Sequence, residues 1–271
     1  TVGGAQILLL DLAKYLNRNS NKIIVATFRN GSLTPKFLSE NIEVKILGEE
    51  LFDLVACYRL IELIDSFKPD IIHTHLFRAT AWTRFAKQLS KSDSKLISTI
   101  HGTESEAYHF IEKYMLHLSD YIIFPSKSLS DWYNQSIKQL DSKKYKIIYP
   151  GVVINKAREY KKQNKVIIGT LSRLHEVKGL DNLLKAAEIL SKKNLEFEIN
   201  IGGGGKGKET LIKQVKKLGI EERCNFVDDI PDKAKYLESL SIFAAPSRKE
   251  AFGINICEAM ERSLPVVATE V

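Results

Sequence analysis

Cysteine is scarce in this chain, with Cys57, Cys224 and Cys257 as the only three among 271 residues. An odd, scattered set builds no disulfide framework and fits a reducing compartment, so redox and zinc chemistry are not expected. No apolar run approaches the roughly 18 residues that a membrane-spanning helix needs, and no targeting signature is legible, so the expected setting is the cytoplasm. Long blocks of one charge are also absent. The net charge of +7 comes from 40 Lys and Arg against 33 Asp and Glu spread along both halves, with only short runs such as Lys143-Lys144 and Lys161-Lys162. Such a surface is mostly solvated, although its sign would draw it to phosphate or to peripheral contact with an anionic membrane. Trp82, Trp132 and the other aromatics form no stacking ladder, so nucleic acid is not an expected partner. Neither a repeat at solenoid period nor a low-complexity tract is present.

What the chain has is steady alternation. Strands are expected at Lys22 to Phe28, Glu43 to Leu47, Asp70 to Thr74, Lys95 to His101, Tyr121 to Pro125 and Lys146 to Tyr149, with amphipathic helical stretches in most gaps. Residues 155–165 (NKAREYKKQNK) are charged and lack apolar periodicity, which marks a linker. A second alternating set follows at Val166 to Leu171, Phe197 to Ile201, Asn225 to Val227, Ile242 to Ala245 and Pro265 to Ala268. Alternation of this kind predicts α/β architecture with parallel sheets covered on both faces. Two facing Rossmann-like domains, residues 1–155 and 156–271, are the economical arrangement. Because Thr1 leads straight into a helix from Gln6 to Asn19, and Leu264 to Glu270 runs off the other end as a strand, an excised fragment is expected. It would lack the first strand of one domain and the end of the other.

The most informative stretch is SRKEAFGINICEAM, Ser247 to Met260. The apolar run before it reads as a buried strand ending at Pro246, which puts Arg248 to Gly253 in a loop at a strand's carboxyl end, where open α/β sheets bind ligands. A helix from Asn255 to Glu261 would turn free N–H groups and its positive end toward an anion such as a diphosphate. Glu258, about one turn inside, could accept two hydrogen bonds from the diol of a ribose. A capped surface helix with two solvated acids, Glu250 and Glu258, is the bland alternative.

Arg173 and Lys178 converge at another strand end, the first offering a fork and the second a point charge to a diphosphate. Solvated loop charges are the alternative. Gly202 through Lys208 satisfies seven positions of a P-loop, but the eighth is Glu209 where Ser or Thr is needed, and Gly202, Gly204 and Gly207 match the dinucleotide fingerprint only in spacing. A flexible turn near a nucleotide is the better reading. Gly3 and Gly4 before the first helix would expose backbone donors to phosphate or acceptor, or simply make a tight turn. His73 and His75 share one strand face. Without acids or cysteines at ligand spacing no metal site is expected, and His101 at a strand's end is the better active-site candidate.

Together these residues resemble the retaining glycosyltransferases of family 4, which have the two-domain GT-B fold. The resemblance covers nearly the whole chain. It rests on GGAQ at Gly3 to Gln6, DIIHTH ending at His75, HG at His101, GTLSRLHEVKG ending at Gly179, IGGG at Ile201, and PSRKEAFGINICEAM followed by PVVAT. It implies transfer of a sugar from a nucleotide-diphosphate donor to a glycan or lipid-linked acceptor, without a cofactor or metal. It further implies that Arg173 and Lys178 bind the diphosphate, Glu250 the sugar hydroxyls and Glu258 the ribose. The amides of Phe252, Gly253, Ile254 and Asn255 would complete the donor site, with Gly202 nearby. His101 would reach the sugar from the facing domain, and Gly3 and Gly4 would line the cleft. The chain reads Pro150-Gly151-Val152-Val153 where the family often has Asn-Gly-Val-Asp. A sugar-nucleotide epimerase of the same fold, or a nucleotide-binding module without turnover, are the competing readings.

Overall fold

The structure, a computed structural model, describes residues 3–48, 54–102, 106–137, 141–154 and 165–271. The chain divides into two units, Val2–Gly151 and Val152–Val271. Apart from Lys165, the expected linker lies outside the described residues.

In the first unit α1 (Gly4–Arg18), β1 (Ile24–Thr27), α2 (Thr34–Leu38), β2 (Glu43–Ile46), α3 (Leu54–Phe67), β3 (Ile71–His75) and α4 (Phe77–Leu89) alternate. They are followed by β4 (Lys95–Thr99), α5 (Glu106–Met115), β5 (Tyr121–Phe124), α6 (Lys127–Ile137) and β6 (Tyr145–Ile147). All pairings are parallel, as the alternation predicts, but the strands form two sheets, β1-β2 and β3-β4-β5-β6. Leu10 and Ala13 of α1 pack with Phe37 and Ile42 over the small sheet, whereas Ala56, Cys57, Leu60 and Ile64 of α3 meet Ala86 of α4. Beneath the larger sheet runs a buried polar chain that nothing in the sequence announces. Arg84, fully buried, meets Glu112 and Ser119 at 2.8 Å each; Ser119 then meets Ser98 at 2.8 Å, and Ser98 meets Thr74 at 3.1 Å.

In the second unit β7 (Val166–Leu171), α7 (Leu180–Lys192), β8 (Phe197–Gly202), α8 (Lys208–Leu218), β9 (Cys224–Val227), α9 (Lys233–Glu238), β10 (Ile242–Ala245), α10 (Ile254–Glu261) and β11 (Val266–Ala268) make one parallel sheet of order β11-β10-β7-β8-β9. Leu180, Leu183, Leu184 and Ala187 recur at helical spacing along α7 and, with Leu211 and Val215 of α8, cover one face of the sheet. Tyr236, Leu237 and Ala259 of α9 and α10 cover the other. The inner strands read as continuous apolar runs because both faces are dry.

Most strands other than β7 and β10 begin or end one or two residues away from expectation, β4 and β11 among them. β4 stops at Thr99 rather than His101, so His101 stands in the loop beyond the ladder, although Ile100 still donates to the Ile123 carbonyl at 3.0 Å. β11 starts at Val266 because Pro265 has no N–H to give; its carbonyl accepts from Phe243 at 2.9 Å.

Candidate active site

Since β7 lies between β10 and β8, the loops leaving the carboxyl ends of β7 and β10 are neighbours. Backbone geometry locks them together. Gly179 has φ +61°, and a Cβ there would sit 1.9 Å from the Pro246 carbonyl oxygen, so a side chain is excluded both by conformation and by the opposing backbone. Arg248 ties the loops a second time. Its amide donates to the Val177 carbonyl at 2.8 Å, and its guanidinium donates to the Glu176 carbonyl at 2.7 Å and, bidentately, to Asp181 at 2.7 and 2.6 Å. Arg248 holds the Asp181 carboxyl below the usual carboxylate range.

This clamp brings Lys178 and Glu250 together. The Lys178 ammonium donates to Oε2 of Glu250 at 2.5 Å, and Ser247 Oγ donates to the same oxygen at 3.2 Å. Next to them α10 is capped at its N-terminus by Gly253, left-handed at φ 85°. A Cβ on Gly253 would lie 3.4 Å from Cγ of Glu250. The side chain of Asn255 is spent as an anchor, donating to the Leu171 carbonyl at 3.1 Å. The amides of Ile254 and Asn255 make no backbone hydrogen bond among the described residues, which leaves two donors at the positive end of the helix. Phe252 is half-buried in the same loop.

Other predicted residues are placed differently. Arg173 is exposed and its guanidinium makes no ion pair among the described residues, so it does not join Lys178 here. Glu258 faces Lys233 at 3.7 Å, a contact with no signal in the sequence. Gly202 lies under Tyr236: a Cβ would meet the ring at 2.7 Å, while the Tyr236 hydroxyl donates to the carbonyls of Thr170 and Asn200 at 2.8 and 3.0 Å. Gly202 is therefore a packing glycine, and burial pushes the Tyr236 hydroxyl pKa up. The turn after it is braced rather than flexible, with the amide of Leu174 donating to the Gly204 carbonyl and that of Gly207 to the Leu174 carbonyl, both at 2.9 Å.

In the first unit Gly3 caps α1, and its amide is taken by the Gln6 side chain at 2.7 Å, so that donor is not free as expected; Gly4 is the first helical residue. His73, His75 and His101 gather at the carboxyl edge of β3 and β4. His75 Nδ1 lies 2.9 Å from His101 Nε2, and His73 Nε2 lies 2.7 Å from Thr99 Oγ1. Burial, reinforced at His75 and His101 by the neighbouring rings, lowers their pKa values to about 4, about 3 and about 4. Among the described residues no group of His, Cys, Asp and Glu has the geometry of a metal site.

Residues 2–156 match the profile of Glycosyltransferase Family 4, and residues 153–271 that of Glycosyl transferases group 1. The chain belongs to glycosyltransferase family 4. An uncharacterised glycosyltransferase of Haemophilus influenzae is 36% identical to it over 122 residues, 45% of this chain and 34% of that protein. The O-antigen biosynthesis glycosyltransferase WclY of Escherichia coli is 26% identical over 224 residues, 74% of this chain and 61% of that protein. The family 4 chain thus spans at most 61% of the length of these two relatives. Among solved structures, Anabaena HepE in complex with UDP-glucose matches at TM-score 0.85 over 99% of this chain and 77% of HepE, with 22% identity. That likeness carries the GT-B fold.

Proposed function

We propose that this chain is a retaining glycosyltransferase of the hexosyl type, moving a sugar from a nucleotide-diphosphate donor to a glycan or lipid-linked acceptor in the synthesis of surface polysaccharide or glycoconjugate. The observation that carries the reading is the convergence of Lys178, Glu250 and the open amides of α10 at one sheet edge. A diphosphate needs a cation and donors, and a sugar needs a fixed acid beside them. The relatives named above support it, WclY by its O-antigen role and HepE by the UDP-glucose in its crystals.

In this account negative charge grows on the departing diphosphate as the sugar becomes oxocarbenium-like. Lys178, Arg173 swinging in from solvent, and the amides of Ile254 and Asn255 stabilise that charge. Glu250 holds sugar hydroxyls, Glu258 leaves Lys233 to accept the ribose diol, and His101 meets the sugar. Protein cations meet the phosphate charge, so the reaction as drawn needs no cofactor or metal. Many retaining enzymes use a carboxylate nucleophile; none is assigned here, and the acceptor attacks from the leaving-group side. The proposed place of work is the cytoplasmic face of an anionic membrane, to which a net charge of +7 would draw the protein. Among the described residues no helix is long and apolar enough to cross a membrane.

The test is nucleotide release from a panel of UDP-, GDP- and ADP-sugars by the full-length protein, with product anomers read by NMR. One donor turned over with retention is expected. Binding of nucleotides without any transfer or hydrolysis would leave a non-catalytic module.

A further inference from the structure

His73, His75 and His101 of the first unit are joined in a way the reaction above does not use. His75 pairs with Thr99 in the β3-β4 register, so its side chain reaches forward to His101, two residues beyond that partner. His73 packs beside it with ring centroids 4.3 Å apart. His75 is only 9% exposed, and its Nε2 is buried with no hydrogen-bond partner. A neutral imidazole has one N–H and one lone pair, so the 2.9 Å contact between His75 Nδ1 and His101 Nε2 admits two arrangements. If His101 donates, His75 must carry its proton on the enclosed Nε2, leaving a buried N–H without an acceptor. If His75 donates, its Nε2 is a bare lone pair and His101 carries its proton on Nδ1. Buried backbone N–H groups are almost never left orphaned, carbonyl lone pairs somewhat more often. The same asymmetry favours the second arrangement.

We propose that His75 is a positioning residue that fixes His101 as its Nδ1–H tautomer, so that His101 meets the donor sugar as a hydrogen-bond donor. The proposal rests on the sugar contact of His101 put forward above. Which ring nitrogen of a histidine carries the proton is set by the partner of the other nitrogen. Without His75, the imidazole of His101 divides between its two forms.

Long-range 15N–1H correlation spectra of the full chain at neutral pH test this directly. His101 is expected to be protonated at Nδ1 and bare at Nε2. His75→Asn, whose amide can still donate from the place of Nδ1, keeps that pattern, whereas His75→Leu gives a mixture with Nε2–H. With the UDP-, GDP- or ADP-sugar that is turned over, His75→Leu should lose about 10-fold in kcat/KM and His75→Asn should recover most of it, the loss expected for one misdirected hydrogen bond. A His101 protonated at Nε2 in the wild type, or a tautomer unmoved in His75→Leu, overturns the proposal; should His75→Leu not fold, the wild-type spectrum still decides. Full turnover by His101→Ala would overturn the sugar contact instead. An inactive His101→Ala alongside an unmoved tautomer in His75→Leu would overturn only the role of His75.

Discussion

Lys178 and Glu250, 72 residues apart in sequence, meet at 2.5 Å with their side chains only 14% and 20% exposed. The lysine is set by Gly179, whose left-handed backbone lies against Pro246, and the acid by the loop that Arg248 straps down. With no donor bound, each is the counterion of the other. In the proposed donor site a diphosphate entering at α10 would compete with Glu250 for Lys178 and free the carboxylate for the sugar. The two proposed roles are therefore linked by one ion pair that opens when the donor binds.

Lys178→Ala should remove a charge-assisted contact of about 1.5 to 3 kcal/mol and weaken nucleoside diphosphate binding about 10- to 150-fold. Nucleoside binding should barely change. Calorimetry showing equal losses for nucleoside and nucleoside diphosphate would contradict the assignment.

The two acids should separate. Glu250→Gln releases Lys178, so the free nucleoside diphosphate should bind as well as before or more tightly while transfer collapses. Glu258→Gln keeps the shape but loses the charge that a ribose diol donates to, so it should weaken every nucleotide with or without a sugar. Equal losses of free nucleotide in both variants, read by calorimetry, would refute the division.

Two loop glycines of the second unit should respond very differently to alanine. Gly179→Ala forces a left-handed Ala with its Cβ 1.9 Å from a backbone oxygen, and should cost more than about 2 kcal/mol in denaturant unfolding. Gly204 has nothing within 4 Å of an added Cβ, so Gly204→Ala should stay within about 1 kcal/mol of wild type. Similar costs at the two positions would show that the loop clamp is not rigid.

His75, buried, and His73 and His101, half-buried, make stability depend on pH with a definite sign. Their folded pKa values, about 4, about 3 and about 4, lie below the ordinary 6.5. Between those limits the unfolded chain binds more protons. The stability they supply is fully present above about pH 6.5 and is lost as pH falls toward 4, at about 1.4 kcal/mol per unit of depression. The melting temperature should drop from about pH 7 to about pH 5, and NMR titration should find all three rings neutral in that window. A ring titrating near its ordinary value would contradict the packing described here.

Much of this was legible before any coordinates. β7 and β10 fall at the expected residues, because a buried parallel strand is an uninterrupted apolar run with a clear stop, Pro246 in the case of β10. The sequence places Lys178 and Glu250 each at a strand's carboxyl end but joins Lys178 to Arg173, whereas the structure joins it to Glu250. Strand order was not legible, since the β11-β10-β7-β8-β9 arrangement depends on crossovers that leave no local trace. For the same reason the Arg248–Asp181 fork, Lys233 beside Glu258, and His75 on His101 were missed. Each joins residues on elements whose adjacency only the sheet decides. The packing of Gly202 against Tyr236 also leaves no trace in its motif.

The account's central claim is that the edge of β7 and β10 is the donor site, and a crystal structure of the full-length protein with UDP, GDP or ADP bound tests it most directly. The predicted result places the diphosphate within hydrogen-bonding distance of Lys178 and the amides of Ile254 and Asn255, with Glu250 released from Lys178 and Glu258 on the ribose hydroxyls instead of Lys233. A nucleotide bound elsewhere, with the Lys178–Glu250 pair still closed, would contradict it.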